Sequence, residues 1–281
     1  MSNTYIFDTE DGAEMTRLIH LDRVMTKAMG GPLAGLASLP EEAQVLDLCC
    51  GPGGWALDVA YKRPDTEITG MDISETMIAY AKARAATQYL TNVAFIVSDI
   101  LEPWAFPDDA FDLVNARFLI AVLPRTSWRE VVRTCYRVTR PGGVIRLTES
   151  DFFGLTSSRA FAELSQLVYR LSHARGYGFS PDQHSLGITH LLGGLLAQVG
   201  CEEIHSAMHV VDFSANTDAW ADLFHNYNIA FTKLQPLLQQ AELATPEELD
   251  VLYQHFLIES HLDTFRGVWP SMSVWGTKPL A

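Results

Sequence analysis

The stretch VLDLCCGPGGWALDVA, residues 45–60, constrains this chain more than any other part of the sequence. The apolar run AQVLDLC is typical of a buried parallel strand. The glycine-rich residues 51–54 come next, and the segment WALDVAYKR then has helical spacing. A strand, a glycine turn and a helix in this order predict the first half of a βαβ unit. In such a unit the glycines let the backbone turn tightly against a ligand, and the helix start offers unpaired N–H groups.

Two classes of ligand fit a turn of this kind. Residues 51–56 match the dinucleotide pattern G-x-G-x-x-G/A, and Asp72 follows about 20 residues later, as that pattern requires. Asp47 favours the other class. It ends the strand shortly before the first glycine, where its charge would repel a dinucleotide phosphate but would suit a cation carrying an amino group and a sulfonium.

The segment LDLCCGPGG resembles the first motif of class I S-adenosylmethionine-dependent methyltransferases, usually written LDLGCGTG. Two further segments stand at family-like spacing: FPDDAFDLV, before the fourth strand, and RPGG, before the fifth. One difference is Cys49, which occupies the place of the family's first glycine. The resemblance covers residues 45–150. It implies that the chain binds S-adenosyl-L-methionine and releases S-adenosyl-L-homocysteine.

The candidate cofactor residues follow the carboxyl ends of successive strands. Asp72 directly follows the predicted strand DTEITGM, a position where an acid accepts both ribose hydroxyls. Ser74 is predicted to cap the next helix, which places Met77 at the adenine edge. The resemblance implies that Asp99 binds the adenine amino group. We therefore predict a cofactor site formed by Asp47, Cys49, Gly51, Gly53, Asp72, Ile73, Met77, Ser98, Asp99, Ile100 and Asn115.

The pattern of strands and helices predicts an α/β fold, a Rossmann-like doubly wound sheet of seven strands with helical lid insertions. The sheet is expected to be mostly parallel, with the last strand, GVWPSMSVWGTKP, antiparallel. Neither an internal repeat nor a low-complexity linker is present, so residues 1–281 are predicted to form a single domain. The expected core is 41–150, 182–216 and 267–281, and the expected lid is 1–40, 151–181 and 217–266.

The lid segments leave two interpretations open. An aromatic stripe on a helix is ordinary core, but lid helices over a pocket have the same pattern. If the segments form a lid, Tyr177, Tyr227 and His225 are its expected polar groups. The N-terminal part would then bring Tyr5, Arg23 or Lys27 near the cofactor's carboxylate.

Charge and cysteine content exclude several partners. The net charge is −14, from 20 basic and 34 acidic residues, which disfavours nucleic acids. Neither a basic leader nor an apolar stretch of membrane-spanning length is present, so a cytoplasmic protein without membrane contact is expected. We predict no metal site, and either a monomer or a homodimer. The cysteines form neither a disulfide framework nor a C-x-x-C pair, and they are Cys49, Cys50, Cys135 and Cys201.

The sequence does not single out a catalytic residue. Methyl transfer from a sulfonium is an in-line displacement, and correct positioning of both partners supplies roughly 7–11 kcal/mol of the barrier. A base is needed only if the acceptor is a phenol, a protonated amine or a carbon acid. Arg117 fits either a fork for a substrate carboxylate or an anchor for backbone carbonyls. The candidate bases are Glu149, Asp151, His173, Tyr177, His184 and His225.

Three functions are compatible with these observations. The leading one is a methyltransferase for a small, largely apolar or aromatic molecule, such as a quinone-like metabolite. The second is a methyltransferase for protein or RNA, against which the negative charge counts. The third is a non-catalytic Rossmann protein that binds S-adenosylmethionine or a nucleotide. The sequence leaves the acceptor and the methylated atom, whether oxygen, nitrogen or carbon, open.

Overall fold

One mixed sheet organises the protein, and the strand before the glycine turn lies near its middle. The computed structural model describes residues 12–280. The helices are α1 (Gly12–Ala28), α2 (Gly54–Lys62), α3 (Glu75–Thr87), α4 (Trp128–Val138), α5 (Arg159–Ala174), α6 (Leu192–Val199), α7 (Trp220–Gln240) and α8 (Pro246–Ser260). The strands are β1 (Gln44–Leu48), β2 (Glu67–Asp72), β3 (Val93–Val97), β4 (Phe111–Arg117), β5 (Thr139–Glu149), β6 (Leu155–Thr156), β7 (Glu202–Asp212) and β8 (Gly267–Thr277).

The strand order is β3-β2-β1-β4-β5-β8, and both β6 and β7 pair with β8. Strands β1 to β5 are parallel, whereas β8 is antiparallel to each of its neighbours. The predicted fold class, with its antiparallel last strand, is therefore confirmed. The difference is the eighth strand, β6. It has two residues, Leu155 and Thr156, and so short a strand carries no alternation that a sequence could reveal.

Helices cover both faces of the sheet because its central strands are apolar on both sides. In β1, Val45 packs with Trp55 of α2 and Ile78 of α3, while Leu46 packs in a separate cluster with Val132 of α4. This two-sided burial explains the continuous apolar run of β1. The carboxyl ends of β1, β2 and β4 consequently open toward one edge, where an α/β sheet binds its ligands.

A second helical layer consists of α1, α5, α7 and α8 and has its own apolar core. Phe161 of α5 is fully buried at its centre, and its ring lies 4.8 Å from that of Tyr227, 5.5 Å from Phe231 and 6.1 Å from Phe256. The aromatic stripe of α7 therefore packs against other helices. Trp269 of β8 belongs to the same cluster and connects this layer to the sheet.

Candidate cofactor and acceptor site

A cavity of about 240 Å³ lies between the carboxyl ends of the strands and the helical layer. Nine of the eleven predicted cofactor residues line it, and only Gly53 and Asn115 do not. The lining contains four acidic side chains, those of Asp22, Asp47, Asp72 and Asp99, but only two basic ones, those of Arg17 and Arg117. This balance favours a ligand that carries positive charge.

Gly53 lies behind the cavity lining, at a position where the backbone packs too closely for a side chain. Its φ is +78°, in the left-handed region that favours glycine, and a Cβ there would lie 2.8 Å from the Phe95 ring and 2.9 Å from Cβ of Ala81. Cys49 also has a left-handed backbone, with φ of +50°. This conformation gives a physical reason for the glycine that the family usually has at that place, and here a cysteine adopts it.

Asp72 connects the glycine turn to the next helix. Its Oδ2 accepts a hydrogen bond from the Gly51 amide at 2.8 Å, and its Oδ1 accepts one from the Ser74 amide at 3.0 Å. Burial raises the pKa of Asp72, and these two amides oppose that rise. Ser74 in turn caps α3 by accepting from the Met77 amide at 3.1 Å, as predicted. Each carboxylate oxygen keeps a lone pair with which it can accept a ligand hydroxyl.

A series of buried hydrogen bonds through Asn115 and Arg146 holds the Asp47 side chain in place. Its Oδ1 accepts a hydrogen bond from Nδ2 of Asn115 at 2.8 Å, and Oδ1 of Asn115 accepts one from Nε of Arg146 at 2.9 Å. Asn115 is fully buried, so its amide orients Asp47 and does not reach the cavity itself. Burial raises the pKa of Asp47 to about 7, against the opposing charge of Arg117 and the hydrogen bond from Asn115.

Arg117 holds helix α1 at this site through hydrogen bonds. It donates to Asp22 Oδ1, and it donates to Thr26 Oγ1 at 3.2 Å. Asp22 also lies directly against the glycine turn, because a Cβ on Gly54 would be 2.0 Å from Asp22 Oδ2. The hydrogen bonds of Arg117 therefore go to α1, and its side chain also lines the cavity.

Helix α1 meets the cavity through residues that the sequence reasoning missed. Arg17, Leu18, Leu21 and Asp22 line it. Their spacing of one, three and four residues, typical of one helix face, was the signal available. Arg23 and Lys27, the residues proposed from the sequence, bind acidic side chains instead. Arg23 pairs with Asp222 of α7 at 2.5 Å, and Lys27 pairs with Asp218, just before α7, at 3.2 Å. Tyr5 lies outside the described residues.

The six candidate bases do not line the cavity. Glu149 is fully buried and accepts from the amides of Leu119 at 2.6 Å and Ile120 at 3.4 Å, and burial raises its pKa well above the ordinary value. Asp151 accepts from two backbone amides at the start of a 3₁₀ turn. His225 is exposed on α7. Tyr177 lies outside the lining, and the remaining two histidines bond elsewhere, His173 to the Ser185 carbonyl and His184 to Gln166.

The part of the cavity away from the glycine turn is aromatic. The rings of Phe118 and Trp269 are stacked with centroids 5.4 Å apart. Trp269 Nε1 donates to Ser150 Oγ at 3.1 Å and to the Phe152 carbonyl at 2.9 Å. Tyr227 donates its hydroxyl to the Phe153 carbonyl. Because these polar atoms are bound within the protein, the rings present largely apolar surface to a ligand.

Comparison with known proteins defines the class of this domain. Residues 45–143 match the family model described as a methyltransferase domain. The chain is 34% identical over 117 residues to the demethylmenaquinone methyltransferase of Listeria monocytogenes serotype 4a (strain HCC23), a match that covers 41% of this chain and 48% of that protein. The chain thus spans about half the length of the curated relatives it matches.

Solved structures show the same fold over nearly the whole chain. The YcgJ protein of Bacillus subtilis aligns with a TM-score of 0.57 at 17% identity, covering 91% of this chain and 99% of that one. Phosphoethanolamine N-methyltransferase 2 of Haemonchus contortus, in complex with S-adenosyl-L-methionine, aligns with a TM-score of 0.55 at 18% identity. The alignment covers 96% of this chain and 57% of that one. The family-model match identifies residues 45–143 as a methyltransferase domain, as the sequence resemblance implied, and the solved structures show the fold of the surrounding chain.

Two negative observations concern the described residues. Between Gly12 and Leu280, none of the helices has the length and apolarity needed to cross a membrane. In the same part of the chain, His, Cys, Asp and Glu side chains do not gather in groups of three or more that could hold a metal ion.

Proposed function

We propose that this protein transfers a methyl group from S-adenosyl-L-methionine to a small, largely apolar or aromatic molecule. The observation that carries the proposal is the division of one cavity into two unlike parts. Its acidic part lies at the glycine turn, and its aromatic part lies under the helical layer. A charged cofactor and an apolar acceptor fit these two parts, and a shared cavity allows the direct contact that methyl transfer needs.

The described residues fit the proposed cofactor. Asp72 has the free lone pairs that ribose hydroxyls require, and Asp47 offers a carboxylate to the cofactor's cationic end. Asp99, Ser98, Ile100 and Met77 also line the cavity, and we assign them to the adenine ring. When bound, S-adenosylmethionine supplies an electrophilic methyl group on a sulfonium.

The contribution of the chain's own residues is positioning and exclusion of water. The bond from Arg117 to Asp22 holds α1 against the glycine turn, and α7 brings Tyr227 and Leu234 over the aromatic part. We accordingly propose that residues 12–40, 151–181 and 217–266 act together as a lid, even though the aromatic rings of α7 also form a packed core. Correct positioning of both partners supplies roughly 7–11 kcal/mol of the barrier, so the absence of candidate bases from the lining is compatible with catalysis.

The acceptor class rests on the lining and on the relatives. The aromatic part is lined by Phe118, Phe152, Phe153 and Trp269. The curated relatives named demethylmenaquinone methyltransferase support an aromatic, quinone-like acceptor. The experiment is transfer of labelled methyl from S-adenosylmethionine to apolar extracts, purified proteins and RNA in parallel. We expect label in the apolar extract; label only in protein or RNA would contradict the proposed acceptor class.

The role proposed for Asp72 predicts a specific loss of cofactor affinity. Asp72→Ala should weaken binding of S-adenosylhomocysteine by about 1–3 kcal/mol, because the ribose hydroxyls lose a buried acceptor. Asp72→Asn should be milder, since its amide oxygen still accepts one bond. Titration calorimetry measures both, with Asp65→Ala as a control on an acid that lies outside the cavity. Unchanged affinity in folded Asp72→Ala protein would remove this residue from the site.

A further inference from the structure

A buried polar network crosses from α1 to α7 beside the aromatic part of the cavity. Arg17 binds the Glu14 carboxylate through Nη2 at 2.6 Å and through Nε at 2.8 Å. Nη1 of Arg17 donates to Oδ1 of Asn226 at 2.8 Å. Glu14 is fully buried, Arg17 is 7% exposed and Asn226 is 5% exposed. Arg17 and Asn226 both line the cavity.

The arginine fixes the orientation of the Asn226 amide. A guanidinium carries only hydrogen-bond donors, so the amide oxygen must face it and the NH₂ group must lie on the other side. Nδ2 of Asn226 donates no hydrogen bond to any residue among 12–280. Because Asn226 lines the cavity, a ligand there can supply the acceptor for this NH₂ group.

Other polar atoms in this part of the lining are already bound within the protein. Ser172 donates its hydroxyl to the Val168 carbonyl at 2.9 Å, and Trp269 donates to Ser150 and to the Phe152 carbonyl. Tyr227 donates to the Phe153 carbonyl. Against this background the Asn226 amide offers a donor that a ligand oxygen can reach. The buried ion pair of Arg17 and Glu14 lies behind the amide and holds the guanidinium that orients it.

We propose that Asn226 selects the methyl acceptor by donating from Nδ2 to an oxygen atom of that molecule, a carbonyl, hydroxyl or phenolate oxygen. The inference rests on the proposed function and narrows its substrate class to oxygen-bearing apolar or aromatic compounds. Arg17 is a positioning residue that orients the amide, and Glu14 holds Arg17. A hydrocarbon of the same shape fills the apolar surface but leaves the donor unpaired.

The test compares two compounds of nearly equal shape, 2-acetylnaphthalene and 2-isopropylnaphthalene. Only the ketone has an oxygen to accept a hydrogen bond. Their dissociation constants are measured by titration calorimetry with the whole chain, both with and without saturating S-adenosylhomocysteine. Asn226→Leu should lower the preference for the ketone about fivefold, the size expected for one neutral hydrogen bond, while the affinity for the hydrocarbon stays the same. Asn228→Leu is the matched control, because this asparagine lies on the same helix outside the lining.

Two further variants separate specificity from folding. Asn226→Asp keeps an oxygen for Arg17 but removes the NH₂ donor, and it should lower the ketone preference as Asn226→Leu does. Arg17→Met should lower the same preference without adding to the effect of Asn226→Leu, since both act through one amide. A purely structural role would weaken both compounds equally and would overturn the inference. An unchanged preference in both Asn226 variants would also overturn it, whereas failure of the wild-type chain to bind S-adenosylhomocysteine would count against the proposed function.

Discussion

Gly53→Ala is expected to lower the free energy of unfolding by about 3 kcal/mol, an overpacking cost joined to a left-handed alanine. The new Cβ would lie 2.8 Å from the Phe95 ring and 2.9 Å from Cβ of Ala81, closer than packed atoms tolerate. Relief of that overlap requires the turn itself to move, because Phe95 belongs to β3 and Ala81 to α3. Urea denaturation followed by circular dichroism measures the change.

Gly194→Ala is the matched control for this substitution. Gly194 lies within α6, its φ is not positive, and a Cβ there meets no atom within 4 Å. Alanine in a helix interior should therefore leave stability unchanged or raise it by about 0.4–1 kcal/mol. The same small change at both positions would show that the packing behind the glycine turn is not as tight as described.

Asp47→Asn is expected to weaken binding of S-adenosylmethionine by about 1.5–3 kcal/mol, the range for hydrogen bonds to charged groups. The substitution retains the shape of the side chain and its oxygen toward Asn115, but it removes the negative charge that faces the cavity. In the variant, Arg117 and Arg146 lose one negatively charged neighbour. Asp22 remains as a negative charge near them. Titration calorimetry at pH 8 measures the loss, with Asp58→Asn as a control at an acid outside the cavity lining.

The same residue predicts how cofactor binding depends on pH. Burial raises the pKa of Asp47 to about 7 from the ordinary 3.8. In the protein without ligand, the raised pKa means that the folded state favours protonated Asp47. The resulting contribution to the stability of the fold is fully present below pH 3.8 and is lost as the pH rises through 7. A cationic ligand favours the ionised form, so affinity should increase with pH, by about tenfold from pH 6 to pH 8.

Asp47→Asn supplies the reference for that pH profile. The variant retains the ligand's own ionisation and loses only that of residue 47, so its curve should be flatter than the wild-type curve by about tenfold over the same range. Wild-type and variant curves of the same slope would mean that Asp47 does not titrate against the cofactor.

The features formed by residues close together in the chain could be predicted from the sequence. A strand, a glycine turn and a helix are neighbours along the chain, and Asp72 follows the next strand end, so short-range patterns indicated most of the predicted cofactor residues. Asn115 shows the limit of strand-end reasoning. It stands two residues before the end of β4, in register with Asp47 of β1, and it therefore supports Asp47 from the side.

Contacts between distant segments were not predictable in the same way. Asp22 reaches the glycine turn from a helix that precedes it by about 30 residues, and Asn226 meets Arg17 across 209 residues of chain. Each pair depends on which elements α1 packs against. The helical spacing of α1 predicts that one of its faces is buried, but it does not indicate which elements cover that face. The polar groups proposed for the lid from sequence were Tyr177, Tyr227 and His225, of which only Tyr227 lines the cavity.

Binding of the two candidate cofactor classes tests the central claim most directly. The whole chain is titrated by calorimetry with S-adenosylmethionine, S-adenosylhomocysteine and NAD at pH 8, where Asp47 is largely ionised. The negative cavity lining and the residues bordering it predict saturable binding of the first two ligands, one per chain, and no measurable binding of NAD. Saturable binding of NAD, with neither S-adenosylmethionine nor S-adenosylhomocysteine bound, would contradict it.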